Sequence, residues 1–123
     1  MAPPTQLRRG DTPIWDLAVL DTNGDPLNLT GYTIRMTAKT DIDDADIDAV
    51  FQLSTTTGEI VITSAAGGLA TIQPERSSTS GLTADITVYC DVQIAKDGAP
   101  DTTYTVVPTW SMRIARDITR TAP

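Results

Sequence analysis

The feature that most constrains the fold is a turn signal placed between two runs of alternating apolar residues. Every second residue is apolar from Trp15 to Val19, and again from Tyr32 to Ala38. A period of two is typical of half-buried β-strands. Between the runs, Asn23-Gly24 favours the positive φ angles of a tight turn, and Pro26 fixes the exit. The pattern predicts an all-β beginning, with two strands joined by a tight hairpin turn.

Short apolar runs separated by turn residues continue along the chain. Residues 49–53, 59–63 and 69–73 are such runs, with Thr57-Gly58 and Gly67-Gly68 between them. This spacing is typical of a meander of short strands. A polar crossover is expected to follow at residues 77–83.

The most regular alternation predicts the strongest strand. It runs from residue 86 to residue 94, and one face carries only apolar side chains, namely Ile86, Val88, Cys90, Val92 and Ile94. A turn is predicted at 96–100. Residues 104–114 then supply the last strand or strand pair, which Pro108 is expected to bend at a sheet edge.

These elements predict an all-β protein with an antiparallel, immunoglobulin-like β-sandwich of about eight short strands. A small barrel is the alternative. A chain of 123 residues is one domain by length and buries roughly two thirds of its unfolded surface. The predicted organisation is a flexible amino-terminal arm at 1–10, the sandwich at 11–120 and a carboxy-terminal tail at 121–123.

Charge and cysteine content narrow the classes of partner and compartment. The formal net charge of −7 disfavours binding to nucleic acid or to an anionic membrane face. The chain shows no apolar run of the length of a signal peptide or a membrane span. The single cysteine, Cys90, rules out an internal disulfide, so we expect a fold that holds in a reducing cytoplasm.

Histidine, the usual general base of enzyme sites, is missing from the sequence. The chain has no histidine, which excludes Ser-His-Asp and Cys-His arrangements and histidine metal sites. Cys90 lies on an apolar strand face and is interpreted as a small core residue, not a nucleophile. Trp15 and Trp110 stand at alternating apolar positions, which favours core packing over a ligand platform. We expect a non-enzymatic protein without a cofactor.

An aspartate-rich segment is the strongest candidate for a metal site. Five aspartates fall within eight residues, namely Asp41, Asp43, Asp44, Asp46 and Asp48. Clustered carboxylates suit Ca²⁺, and Asp41, Asp43 and Asp46 are the candidate ligands. The segment lacks the glycine at the sixth position and the glutamate at the twelfth that an EF-hand loop needs. A solvated acidic loop without metal is therefore the favoured interpretation.

Charged residues at two places are candidates for an interface. Arg8 and Arg9 end the predicted arm, and Asp43, Asp44 and Asp46 lie in the acidic segment. Opposite charges on neighbouring copies would set their register more than their affinity. Two independently solvated surfaces are the alternative.

The order of these pieces resembles the immunoglobulin-like domains at the amino terminus of phage baseplate upper proteins and related tailed-phage virion proteins. The resemblance covers about residues 9–120, and it depends on the order of the motifs more than on any one of them. The matching segments are 9–15, the turn at 21–31, 67–72, the crossover through Leu82, 89–94, the turn at Asp97-Gly98 and the ending 114–120.

The resemblance implies a structural protein of a virion, made in the cytoplasm of a bacterial host. It would dock on the tail, baseplate or neck in symmetric copies, with other virion proteins as partners and neither nucleic acid nor membrane. Family members often continue into a coiled coil or receptor-binding region where this sequence stops, so a connecting or decorating role is expected. The alternatives are a capsid decoration or head-fibre protein, and a carbohydrate-binding module that uses Trp15 or Trp110 for stacking.

Overall fold

A computed structural model describes residues 6–8, 14–41, 43, 49–75, 86–97 and 99–115. These residues form eight β-strands and no helix, so the all-β prediction is confirmed. In chain order the strands are β1 Gln6–Arg8, β2 Trp15–Ala18, β3 Tyr32–Lys39, β4 Phe51–Ser54, β5 Ile60–Ser64, β6 Leu69–Ile72, β7 Ile86–Lys96 and β8 Ala99–Ala115.

The strands form two sheets that face one core. One sheet has five strands in the order β1-β8-β7-β3-β4, and the other has three in the order β2-β6-β5. Neighbouring strands are antiparallel except β1, which pairs in parallel with the end of β8. Buried side chains from both sheets belong to a single apolar cluster. This two-layer arrangement fits a β-sandwich and not the alternative small barrel.

The strand with the strongest alternation lies at the centre of the larger sheet. β7 pairs with β3 on one side and with β8 on the other. Its side chains Val88, Cys90, Val92 and Ile94 are all buried, as the period of two predicts. The prediction of a core position for Cys90 is confirmed, since the residue is 1% exposed.

The predicted turn between the first two apolar runs is present. Gly24 has a φ of 84°. The Asp21 N–H donates to the Asp25 carbonyl at 2.7 Å, and the Asp21 side chain accepts a hydrogen bond from the Asn23 N–H at 2.8 Å. Leu20 and Pro26 face each other in an isolated antiparallel bridge. The chain therefore reverses direction where the sequence indicates.

The predicted hairpin between the strands that flank this turn is wrong. β2 pairs with β6 in the three-stranded sheet, whereas β3 lies in the five-stranded sheet between β4 and β7. The chain crosses from one sheet to the other at Leu29, which is fully buried and whose N–H donates to the Ala65 carbonyl at 2.8 Å. A local turn signal specifies a reversal but does not specify which sheet the next strand joins.

The predicted last strand is one long strand with bulges. β8 spans 17 residues. Its pairing with β7 shifts between Cys90–Trp110 and Val92–Val107, so that Pro108 and Thr109 lie opposite Asp91 alone. This is the geometry of a β-bulge, a position at which a strand tolerates a proline.

Several predictions fall wholly or partly outside the described residues. They are the crossover at 77–83, Gly98 of the last turn and the tail at 121–123. Of the predicted arm, residues 6–8 are described, and they pair with Arg113, Ile114 and Ala115 of β8.

Gly68 holds the turn before β6 against the end of β2. Its φ is +67°, and its carbonyl accepts a hydrogen bond from the Val19 N–H at 2.8 Å. A Cβ at this position would lie 2.5 Å from the Val19 carbonyl oxygen and 2.9 Å from that of Leu27. Backbone on both sides therefore leaves no room for a side chain.

We expect Gly68→Ala to destabilise the protein much more than the matched change Gly58→Ala. Gly58 also has a positive φ of +85°, but an added Cβ there meets nothing within 4 Å. Left-handed backbone alone costs about 1 to 2 kcal/mol in both variants, and the backbone clash at Gly68 adds roughly another 1 to 3 kcal/mol. Urea unfolding of the two variants measures the difference. Equal losses of stability would contradict this account of Gly68.

Candidate functional site

An apolar groove opens on the side of the sandwich where β2 and the first half of β8 approach each other. Its volume is about 580 Å³, and we call it the β2–β8 groove. The apolar side chains Leu20, Leu27, Tyr32, Tyr104 and Val106 line it. They come from the end of β2, the turn after it, the start of β3 and the first half of β8, so the fold brings together residues that are far apart in the sequence.

The rim of the β2–β8 groove exposes large apolar side chains to solvent. Leu20 is 59% exposed and Tyr104 is 55% exposed. Leu27, Tyr32 and Val106 are half-buried and pack against the main core. A contiguous exposed apolar surface of this kind is a feature of protein–protein contact sites. The groove is therefore the strongest candidate site among the described residues.

Two sheet edges border the groove. β2 is the outer strand of the three-stranded sheet, and β8 is covered on its outer side by β1 only at residues 113–115. Within the part of the chain that the structure describes, no strand pairs with the outer side of β8 at residues 104–109. Residues 102–112 also contain no charged side chain, although 20% of the whole chain is charged. Pro108 and the bulge at 108–109 lie on this part of β8, and both features limit the pairing of an edge with another strand.

The sequence predictions did not include this groove. Its members are separated by up to about eighty positions, and no local pattern links Leu20 to Tyr104. Two signals were nevertheless present in the sequence. Leu20 breaks the alternation after Val19, and the uncharged stretch 102–112 is rich in β-branched and aromatic residues.

The calcium candidates are only partly described by the structure. Asp41 and Asp43 are exposed, and the Asp43 N–H donates to the Asp41 carboxylate at 3.0 Å. Asp44, Asp46 and Asp48 lie outside the described residues. A search limited to the described positions finds no group of three or more histidine, cysteine or acidic side chains placed to hold a metal ion. The favoured interpretation of a solvated acidic loop without metal stays a prediction.

The basic and acidic interface candidates lie at the same end of the five-stranded sheet. β1 and β3 both run antiparallel to β7, so Arg8 at the end of β1 and Asp41 after β3 are at one end. Three strand spacings separate β1 from β3, which is about 14 Å. Asp43 follows at that end, whereas Arg9, Asp44 and Asp46 lie outside the described residues. The β2–β8 groove is at the opposite end, beside Tyr32 and Ile94.

The two tryptophans contact each other across the two sheets. The rings of Trp15 in β2 and Trp110 in β8 are 6.0 Å apart between centroids and nearly perpendicular at 83°. This is a favourable edge-to-face arrangement. Trp15 is buried and Trp110 is half-buried against the same core. Core packing is therefore confirmed for Trp15, and Trp110 packs against the same core with part of its surface exposed.

Acidic residues elsewhere in the described chain have structural partners. Glu59 is buried, and its carboxylate accepts a hydrogen bond from the Glu75 N–H at 2.7 Å. Its carbonyl accepts another from the Gln73 N–H at 2.9 Å. Glu59 thus fixes the chain that leaves β6. On the outer face of the larger sheet, the Thr33 hydroxyl donates to the Asp97 carboxylate at 2.6 Å.

Comparison with models of known protein families gave no match, and a search of curated protein sequences gave none either. No helix in the described part of the chain combines the length and apolar character needed to cross a membrane.

The thiol of Cys90 is held in its neutral form. Burial, with a further contribution from the neighbouring Asp91 carboxylate, raises the pKa of this thiol from 9.0 to about 12. Since the thiolate is the reactive species, the folded protein should not use Cys90 as a nucleophile.

We expect Cys90 to react with the thiol reagent DTNB only after urea unfolds the protein. In addition, the free energy of unfolding should fall more steeply with pH in wild type than in Cys90→Ala as pH rises from about 9 toward 12. The reason is that the unfolded thiol loses its proton in this range while the folded thiol keeps it. Rapid labelling of the native protein, or parallel pH profiles for the two proteins, would contradict a buried neutral thiol.

Proposed function

We propose that this chain is a non-enzymatic structural protein of a tailed-phage virion, which docks on the tail, baseplate or neck in symmetric copies through an immunoglobulin-like domain. The observation that carries the proposal is the order of the strands in the two sheets. This strand order supports the immunoglobulin-like fold that the order of the sequence motifs implies.

The order of the strands supports an immunoglobulin-like assignment. In that fold, strands B, E and D form one sheet and strands C, F and G form the other, with C′ added beside C in variable-type domains. Taking β2 as B and continuing along the chain, the sheet β2-β6-β5 corresponds to B-E-D. The run β8-β7-β3-β4 corresponds to G-F-C-C′. Seven consecutive strands therefore agree with this pattern in both sheets.

The agreement in strand order does not extend to the disulfide of antibody domains. Antibody domains join strands B and F by a disulfide that packs on a tryptophan. This chain has one cysteine, on β7, and its two sheets meet instead through the contact of Trp15 with Trp110. A sandwich without a disulfide suits a protein that folds and assembles in a reducing bacterial cytoplasm.

We assign the attachment role to the charged end of the larger sheet. The backbone places Arg8, at the end of β1, and Asp41, after β3, at this end, and the two residue types carry opposite charges. Charges at the rim of an interface fix its register and steer association. The opposite end, with the β2–β8 groove, stays available for a separate contact.

The first test is mass spectrometry of purified phage particles that are separated into heads and tails. We expect this chain in the tail fraction at a few to a few dozen copies per particle, as symmetric docking on a tail, baseplate or neck requires. Enrichment in heads at hundreds of copies would instead favour a capsid decoration protein. Absence from both fractions would overturn the virion assignment.

A second test addresses the charged end. The triple variant Asp43→Asn, Asp44→Asn, Asp46→Asn should reduce incorporation into particles, because it removes three negative charges from the acidic segment that follows β3. The matched control Asp16→Asn, Asp25→Asn, Glu75→Gln removes the same charge from exposed residues elsewhere and should leave incorporation unchanged. Quantitative immunoblotting of purified particles measures both. Equal incorporation of the two variants would contradict a role for the acidic segment.

A further inference from the structure

We propose that Asn23 is a site of spontaneous deamidation, at which the backbone nitrogen of Gly24 attacks the Asn23 side chain. The products are aspartate and isoaspartate in the turn that follows β2. The reaction needs water and no partner protein, so it does not depend on the virion role. It alters the turn that borders the β2–β8 groove, because Asp21 and Thr22 line that groove.

The chemistry exchanges one C–N bond for another and ends in hydrolysis. The Gly24 nitrogen forms a bond to Cγ of Asn23, and the bond between Cγ and Nδ2 breaks. The side-chain nitrogen leaves as ammonia with the proton of the Gly24 nitrogen, and a succinimide ring remains. Water then opens the ring. Attack at Cγ gives aspartate, whereas attack at the former backbone carbonyl of Asn23 gives isoaspartate, whose backbone contains an additional methylene group.

The turn leaves this ring closure unhindered. Glycine has no Cβ beside the attacking nitrogen, and a Cβ built at Gly24 meets nothing within 4 Å. Asn23 and Gly24 are both exposed to solvent. Within the described chain, Asn23 hydrogen-bonds through its backbone N–H and not through its side chain. The Gly24 N–H donates only inside the turn, to the Asp21 carbonyl at 3.0 Å, and exposed turns open locally at low cost.

Asn28, the other asparagine of the chain, has the opposite surroundings. Its side-chain oxygen accepts a hydrogen bond from the Thr30 N–H at 3.0 Å. The nitrogen that would attack it belongs to Leu29, which is fully buried and donates to the Ala65 carbonyl at 2.8 Å. Attack at Asn28 therefore requires breaking a buried bond between distant segments. The fold thus protects one asparagine and leaves Asn23 reactive.

Isoaspartate disturbs the hydrogen bonds that close the turn. The Asp21 carboxylate accepts the N–H groups of Asn23 at 2.8 Å and Asp25 at 3.1 Å, and the Asp21 N–H donates to the Asp25 carbonyl at 2.7 Å. An added methylene group lengthens the backbone inside this set of bonds. Both products also place a new carboxylate near those of Asp21 and Asp25, and like charges repel. We therefore expect deamidation to destabilise the protein.

Peptide mapping of the full chain after prolonged incubation tests the proposal. Both asparagines lie on one tryptic peptide, residues 10–35, so fragmentation compares them within one molecule. We expect Asn23 to become an acid while Asn28 keeps its amide, with a faster loss at higher pH because the Gly24 nitrogen must give up its proton. Labelling by an isoaspartyl methyltransferase identifies isoaspartate. Equal loss at both positions, or loss at Asn23 only in urea, would overturn the proposal.

Two matched variants connect the modification to stability. Asn23→Ser removes the reactive amide and keeps a residue type that is common in turns. Asn28→Ser is the control and should lose the Asn23 amide at the wild-type rate. After incubation, the urea midpoint should fall for wild type and Asn28→Ser and stay constant for Asn23→Ser. An equal fall in Asn23→Ser would show that another change weakens the fold, against the proposed effect on the turn.

Discussion

The structure depends on burying the inner faces of two sheets against each other. Ile34 and Leu53 from the larger sheet, and Ile60 and Ile72 from the smaller one, are at most 1% exposed. Burial of each such side chain contributes roughly 1.5 to 3 kcal/mol. With one cysteine in the chain, no internal disulfide shares this role. The side-chain alternation that sets the strands therefore also holds the two layers together, and the Trp15–Trp110 contact fixes how their edges meet.

Most strands could be predicted from the sequence, but one of their connections could not. Alternation is a local property, and it identifies β3 and β7 and the inward side of each. The pairing of β2 depends on contacts between residues that are far apart in the sequence. Gly68 packs against the backbone of Val19, and the Leu29 N–H donates a hydrogen bond to the Ala65 carbonyl. Nothing in the residues around Asn23-Gly24 distinguishes a hairpin within one sheet from a turn between two sheets.

The candidate site was less predictable than the fold, for a related reason. Charged clusters can be recognised in a sequence because their residues are close together along the chain. Asp41 and Asp43 belong to such a cluster. The β2–β8 groove is assembled from the end of β2, the turn after it, the start of β3 and the first half of β8, so it is recognisable only after the sheets are formed. The uncharged stretch at 102–112 is visible in the sequence. The structure adds that β1 pairs with the outer side of β8 at residues 113–115 and not within this stretch.

Different interactions dominate at the two ends of the larger sheet. At the charged end, attraction between exposed groups is screened over about 8 Å at physiological ionic strength. Contacts between exposed charges at this end are individually weak, and they set the orientation of a partner more than its affinity. At the opposite end, the β2–β8 groove offers apolar side chains, and salt hardly weakens the burial of apolar surface. Because each chain carries a net charge of −7, close approach between two copies is favoured only where their surfaces carry no like charge.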